Sequence, residues 1–97
     1  MIIRIVKLTF KTEYIPAFQK IFDDSCQQIR AQEGCLSLRL LQDKKCPEIF
    51  FTYSQWVSEG DLNNYRNSTL FGSVWPETKK LFAASPEAWT VNQKAEL

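Results

Sequence analysis

The fold of this chain is decided by residues 49–71, which read IFFTYSQWVSEGDLNNYRNSTLF. Its first part, Ile49–Trp56, is rich in aromatic and β-branched side chains and is typical of a strand. The strand runs directly into Ser58-x-x-Asp61, which resembles a capping box with Asp in place of the usual Glu. The stretch therefore predicts a buried strand that leads, after one turn residue, into a helix.

Hydrophobic periodicity predicts the remaining elements. The predicted strands are Ile2–Phe10, Cys35–Gln42, Glu48–Trp56 and Ala88–Asn92. A long helix is predicted over Thr12–Gln32, with Thr12 as its N-cap and Gly34 as the stop signal. A second helical region follows Ser58 and is predicted to break near Ser68.

This element order predicts an α+β domain of the ferredoxin-like type, βαββαβ, with a four-stranded antiparallel sheet. Both helical regions should cover the same side of the sheet. The other side would be bare in a monomer, and it carries enough apolar groups that we expect the same surface of a second copy to cover it. In the second strand, Leu36, Leu38 and Leu40 should share one side. The length fits a single domain, residues 1–97.

Composition excludes several partners. The net charge is +1 and the charged residues form no basic stripe, so no nucleic-acid partner is expected. The apolar runs are far shorter than the roughly 18 residues that span a bilayer, so no membrane partner is expected. Residues 1–10 alternate like a strand and lack the apolar segment of a signal peptide. We therefore expect a cytoplasmic location.

The chain has three cysteines and no histidine. Without a Cys-x-x-Cys spacing, neither a disulfide framework nor a zinc site is expected. The positions of Cys26 and Cys35 favour small core residues, whereas Cys46 lies in an exposed turn, where a redox role stays open. Because a glycine-rich phosphate loop is also absent, we predict no bound haem, flavin or metal.

The layout resembles that of the antibiotic biosynthesis monooxygenase domain family, a group of small dimeric α/β-barrel proteins. The resemblance spans residues 1–93. It is carried by Glu33-Gly34-Cys35, the strand ending in Trp56, and the spaced residues Ser58, Leu62, Tyr65, Ser68 and Phe71. It implies a dimeric α/β barrel. It also implies cofactor-independent oxidation, in which a reduced aromatic substrate itself supplies electrons to oxygen.

A haem-degrading branch of that family uses an Asn, a Trp and a His, and these positions are occupied here by Val6, Tyr65 and Trp75. No iron ligand remains among them, because Tyr65 is a poor substitute for histidine. Haem degradation is therefore disfavoured.

In the family, the pocket lies between the sheet and its helices. The resemblance places Tyr65 and Trp75 there as the catalytic candidates. The substrate-binding candidates are Arg4, Val6, Phe22, Phe51, Asn64 and Phe71, with Tyr53 as an alternative to Phe51 and Asn63 as an alternative to Asn64. An apolar aromatic cavity suits a flat aromatic ligand. Ordinary core packing is the alternative for each ring, and a salt bridge at the barrel rim is the alternative for Arg4.

Two functions remain open from the sequence. The first is a cofactor-free monooxygenase acting on an aromatic or quinol-type molecule, with the Tyr65 phenol binding a substrate oxygen. A phenol with a pKa of about 10 is a weak base at neutral pH, so proton abstraction would need help. The second is a non-catalytic dimeric module that binds a small ligand. The missing histidine favours the second, and the polar atoms of Tyr65 and Trp75 favour the first.

Overall fold

The structure, a computed structural model, describes residues 1–97. In chain order the elements are β1 (Ile2–Thr9), a 3-10 turn (Thr12–Tyr14), α1 (Ile15–Arg30), β2 (Cys35–Gln42), β3 (Ile49–Trp56), α2 (Glu59–Arg66), α3 (Thr69–Lys79) and β4 (Glu87–Asn92). The ferredoxin-like βαββαβ prediction is confirmed, with the second helical region in two pieces. None of the helices combines the length and the apolar character needed to cross a lipid bilayer.

The four strands form one open antiparallel sheet in the order β2-β3-β1-β4. The register pairs Val6 with Thr52 and Arg4 with Thr90, so these four side chains lie on one side of the sheet. The helices pack against that side. The central strands β1 and β3 therefore carry the side chains that any site beneath the helices must use.

The start of the first helix differs from its prediction. Thr12 is not an N-cap, because a 3-10 turn occupies Thr12–Tyr14 and the α-helix begins at Ile15 without a side-chain cap. Pro16 lies in the first helical turn, where its missing N–H would have had no partner anyway. The stripe that the helix buries includes Phe18 and Ile29.

Each of the two pieces of the second helical region begins with a serine N-cap. The Ser58 hydroxyl oxygen accepts a hydrogen bond from the Asp61 backbone N–H at 3.1 Å. The Ser68 hydroxyl oxygen accepts one from the Phe71 N–H at 3.2 Å. Each cap satisfies a backbone donor that a helix start leaves free, so the chain turns between α2 and α3 without losing these bonds. Pro76 lies inside α3.

Aromatic rings form most of the core. The rings of Phe10 and Phe18 stack with centroids 4.2 Å apart, and Phe50 meets Phe18 edge-on at 5.2 Å. All three residues are at most 3% exposed. Since Phe10 directly follows β1, and Phe18 and Phe50 belong to α1 and β3, their contact fixes the first helix on the sheet.

A β-bulge at the start of β2 overturns one predicted alternation. Cys35 pairs with Trp56, and Ser37 pairs with Gln55, so Leu36 is the extra residue on its strand. Cys35 consequently packs with Trp56 in the core, whereas Leu36 is 43% exposed. Without the bulge, strict alternation would put Cys35 on the outer side with Ser37, whereas it lies on the helix-covered side with Leu38 and Leu40.

The outer face, which is the side of the sheet away from the helices, carries exposed apolar side chains. The most exposed are Leu41, Trp89 and Val91, at 48%, 45% and 39%. Phe51 and Tyr53 lie between them on β3 and are half-buried. An apolar surface of this kind is uncommon on a monomeric protein.

Gly34 generates a stability prediction. Its φ of +82° lies in the left-handed region, and a Cβ atom there would collide with the side chain of Asp61. We expect Gly34→Ala to lower the free energy of unfolding by about 2–4 kcal/mol, through left-handed strain and displacement of Asp61. The measurement is urea denaturation monitored by circular dichroism.

Gly72→Ala is the matched control. Gly72 lies within α3, and a Cβ atom there has no neighbour within 4 Å. We expect this change to stabilise the chain by about 0.5–1 kcal/mol, the helical preference for Ala over Gly. Equal denaturation midpoints for Gly34→Ala and the parent would contradict the argument.

Candidate functional site

A cavity lies between the helix-covered side of the sheet and the three α-helices. Its volume is about 160 Å³, and 13 of its 19 lining residues are hydrophobic. An engineered apolar cavity of about 150 Å³ in another protein binds benzene. The space therefore fits one aromatic ring with small substituents.

Three ring contacts build one wall of this cavity. Trp56 and Tyr65 stack at 5.2 Å, with an angle of 20° between their planes. Phe71 meets the Tyr65 ring edge-on at 5.3 Å and stacks on Trp75 at 5.8 Å. Because each ring is fixed by its neighbours, the wall has a defined shape before any ligand enters.

Tyr65 carries the most perturbed ionisable group in this wall. Burial raises the pKa of the Tyr65 phenol to about 12, and the neighbouring Cys35 thiol adds to the effect. The Tyr65 carbonyl accepts a hydrogen bond from the Ser68 hydroxyl at 2.6 Å, but the phenol hydroxyl makes no hydrogen bond within the chain. At neutral pH this hydroxyl is therefore protonated and free to donate to a bound molecule.

The two tryptophans of the cavity differ in their polar contacts. The Trp56 indole N–H donates to the Ser54 hydroxyl oxygen at 2.9 Å, and Trp56 is only 1% exposed. Trp75 is half-buried and contacts Phe71 and Phe82 through its ring, while its N–H has no partner in the chain. Trp75 thus supplies a second available donor along the same wall.

Two arginines line the cavity, Arg4 on β1 and Arg66 in the last turn of α2. A guanidinium N–H of Arg4 donates to the Thr90 hydroxyl oxygen at 2.8 Å, and no carboxylate pairs with it. The rim salt bridge proposed as an alternative for Arg4 is therefore not formed. Desolvation by burial, and then the positive charge of Arg66, lower the pKa of Arg4. The two like charges thus act on each other across this end of the cavity.

The structure brings together six of the eight predicted site residues. The residues that line the cavity are Arg4, Val6, Phe22, Tyr65, Phe71 and Trp75. Phe51 pairs with Lys7 and Leu41 on the outer face, and Asn64 is exposed on α2. The placement of Phe51 and Asn64 in the cavity was wrong. Phe51 lies on the outer face because the even-numbered residues of β3 point to the helices.

Other residues of the cavity were missed, and five of them form its sheet side and its mouth. They are Leu38, Thr52, Ser54, Trp56 and Arg66. Alternation backwards from Trp56 gives Ser54 and Thr52, and one helical turn beyond Leu62 gives Arg66. The sequence therefore held signals for four of the five, whereas the side of Leu38 follows only from its pairing with Ser54.

The lining residues limit the chemistry. None of them is Asp, Glu, His or Cys, so the cavity offers no conventional general base. No three metal-ligating side chains cluster anywhere in the chain. That the protein binds no haem, flavin or metal stays a prediction. What the cavity can do is hold a flat apolar ring, donate hydrogen bonds and bring positive charge to one end.

Comparison with known proteins settles the family. The sequence profile of the family described as "Antibiotic biosynthesis monooxygenase" matches residues 1–74. The chain belongs to this family. Tyr65 lies within the matched range, and Trp75 lies one residue beyond it.

Solved structures share the fold of this antibiotic biosynthesis monooxygenase family member. A conserved protein from Methanosarcina mazei Go1 is 24% identical, with a TM-score of 0.91 over 97% of this chain and 94% of that one. A protein described as an antibiotic biosynthesis monooxygenase is 18% identical, with a TM-score of 0.92 over 98% and 100%. A Mycobacterium tuberculosis protein is 16% identical, with a TM-score of 0.90 over 98% and 96%. A search of curated proteins gives no match.

The raised pKa of Tyr65 predicts how stability depends on pH. An unfolded tyrosine loses its proton near pH 10, but the folded residue keeps it until about pH 12. Between these values the unfolded state binds fewer protons, so stability falls as pH rises. We expect this group to remove about 2–3 kcal/mol from the free energy of unfolding across that range.

The measurement compares the parent with Tyr65→Phe in urea at several pH values from 9 to 12. Other groups titrate equally in both proteins, so the difference between the two curves isolates Tyr65. Parallel curves over the whole range would contradict a buried, protonated phenol.

Proposed function

We propose that this protein is a cofactor-independent monooxygenase that oxidises a quinol-type molecule with a single aromatic ring. The observation that carries the proposal is the protonated, unpartnered Tyr65 hydroxyl at a ring-sized aromatic cavity. Membership of the antibiotic biosynthesis monooxygenase family supports the reaction class. The cavity volume supports a one-ring substrate over a fused polycycle.

The reaction balances without an external reductant. With hydroquinone as the substrate, one quinol and one dioxygen give one hydroxybenzoquinone and one water. One oxygen atom forms a new C–O bond at a ring carbon, and the other leaves as water. The substrate supplies all four electrons, two through oxidation of its hydroxyl groups and two from the C–H bond. The two hydroxyl protons that are lost become those of the water molecule, and the former C–H proton stays on the new hydroxyl group.

The residues of the cavity would position and stabilise the substrate in this reaction. The aromatic wall holds the ring and excludes water from the reactive carbanion or radical. The Tyr65 hydroxyl donates to a substrate oxygen, and this bond strengthens as negative charge develops on that oxygen. Trp75 closes the wall on the far side of Phe71, with its indole N–H available for a second oxygen.

A non-catalytic small-ligand-binding module is the second candidate. The observation that favours it is the absence of Asp, Glu and His from the lining of the cavity. An enzyme with this lining would have to bind its substrate already ionised, or ionise it through the positive charges nearby. Binding of single-ring ligands without oxygen uptake would support this alternative over the monooxygenase.

Tyr65→Phe tests the catalytic role. The variant keeps the ring that stacks on Trp56 and removes only the hydroxyl. Because that hydroxyl makes no hydrogen bond within the chain, stability at neutral pH should change by at most about 1 kcal/mol. Turnover of hydroquinone and methyl-substituted hydroquinones should fall by about one to two orders of magnitude. The measurement is oxygen uptake, corrected for the rate without protein.

Tyr14→Phe is the matched control, since Tyr14 is 38% exposed and lies before α1, away from the cavity. It should turn over at the parent rate. If Tyr65→Phe also oxidises every accepted hydroquinone at that rate, Tyr65 is a packing residue. If the parent protein never exceeds the protein-free rate with any member of the panel, the monooxygenase proposal fails.

We also propose that the protein is a homodimer joined through the outer face. The exposed Leu41, Trp89 and Val91, with Phe51 and Tyr53 between them, supply an apolar patch on a surface that the helices leave uncovered. A two-fold axis through this face would bring each patch against its own copy. Two open sheets packed in this way would complete the dimeric α/β barrel that the family resemblance implies.

Light scattering at micromolar concentration tests the dimer. We expect a mass of twice the 11.3 kDa of one chain. Leu41→Glu places a charge in the patch and should give a monomer, whereas Tyr14→Glu, on an exposed site outside the patch, should leave the dimer intact. A parent protein that scatters as a single chain would rule out this assembly.

A further inference from the structure

We infer that the cavity selects a ligand carrying an anionic oxygen, which the paired guanidinium groups of Arg4 and Arg66 hold at one end. The inference deepens the proposed function and rests on it in one respect, that the substrate enters this same cavity. It specifies the charge that the substrate carries and the residues that recognise that charge.

The first step is the absence of any acidic partner for the two arginines. The ion pairs of the chain join Lys7 to Glu87, Lys20 to Asp24 and Lys80 to Glu77. Arg4 and Arg66 take part in none of them. No carboxylate neutralises either guanidinium, so both positive charges at this cavity stay available to an anion.

The second step is the fixed position of Arg4. Its guanidinium is partly buried and is tethered by the hydrogen bond to the Thr90 hydroxyl at 2.8 Å. This bond uses one of the five N–H donors of a guanidinium, so the others remain available. Arg66 is exposed at the mouth of the cavity and makes no side-chain hydrogen bond within the chain. One arginine is thus held in place on the sheet by Thr90, and the other is free to close on a ligand.

The third step is the cost of placing two like charges together. Each positive charge disfavours the other, and burial of Arg4 disfavours its charge further. An anion between them removes this repulsion and gains charge-assisted hydrogen bonds, which are the stronger class. A neutral ligand would leave the repulsion in place. The cavity should therefore discriminate by charge as well as by shape.

The anionic oxygen has two possible sources on a single-ring ligand. It is either a carboxylate substituent or a ring hydroxyl that ionises on binding. In the second case the arginines would favour the phenolate and so lower the pKa of the bound hydroxyl. Such a shift would generate the electron-rich form that reacts with oxygen, in a cavity without a conventional base.

The experiment measures binding rather than turnover, so it is independent of whether the protein oxidises anything. Benzoate and benzyl alcohol, which match in size and differ in charge, are titrated by calorimetry or by protein NMR. In a second arm, the ionisation of 4-nitrophenol is followed by its visible absorbance with and without saturating protein. We expect benzoate to bind roughly tenfold to a hundredfold more tightly than benzyl alcohol, or the ionisation of 4-nitrophenol to move to lower pH. The first result identifies a carboxylate and the second a ring hydroxyl.

Three variants and one control test which arginine causes the preference for the anion. Arg66→Gln leaves every hydrogen bond within the chain in place and should reduce the preference for the anion by roughly tenfold. Arg4→Gln should reduce it at least as much, and Arg4→Lys should retain part of it because the charge remains. Lys79→Gln removes one positive charge at an exposed position at the end of α3 and is the matched control.

The outcomes separate the two proposals. Equal binding of benzoate and benzyl alcohol together with unshifted 4-nitrophenol would overturn the anion site, and so would equal losses in Arg66→Gln and Lys79→Gln. Selective anion binding without oxygen uptake from any hydroquinone would leave the anion site in place and remove the monooxygenase. Oxygen uptake without anion selectivity would support the monooxygenase and overturn the anion site.

Discussion

The helical layer of this protein is joined to its sheet by a continuous chain of aromatic contacts, and the cavity depends on that chain. It runs from Trp56 on β3 through Tyr65, Phe71 and Trp75 to Phe82, and from there to Phe10 and the core rings. Rigid rings that meet edge-on or offset cannot collapse into the space beside them as flexible aliphatic chains would. The same contacts that hold α2 and α3 on the sheet therefore keep a ring-sized space open.

The electrostatics of the cavity follow from this apolar construction. Removal of water from one end of a hydrophobic space raises the energy of any charge placed there. The Tyr65 phenol responds by holding its proton, whereas a guanidinium keeps its charge even when partly buried. The cavity thus combines a neutral donor and fixed positive charge within one apolar enclosure. Both features favour a ligand oxygen that carries, or develops, negative charge.

The sequence predicted the element order because periodicity and capping signals are local, and the antiparallel ferredoxin-like arrangement follows from that order. The Ser58 and Ser68 caps are of this kind. The prediction failed where one extra residue interrupts the alternation of side chains along a strand, as Leu36 does in the bulge of β2. Nothing in the sequence CLSLRL marks an unpaired position. Phe51 was misplaced although alternation from Trp56 gave its true side. Arg66 was missed because a charged residue at the end of a helix usually indicates a solvated surface.

The three tryptophans lie in three different environments, and this has a spectroscopic consequence. Trp56 is buried against Tyr65, Trp75 is half-buried at the cavity, and Trp89 is 45% exposed on the outer face. Indole emission shifts to longer wavelength as exposure to water increases, and an excited tyrosine transfers its energy to a stacked tryptophan. Intrinsic fluorescence of the unlabelled protein therefore contains separable signals. Quenching of Trp75 would report occupancy of the cavity, and the red edge of the emission would report Trp89.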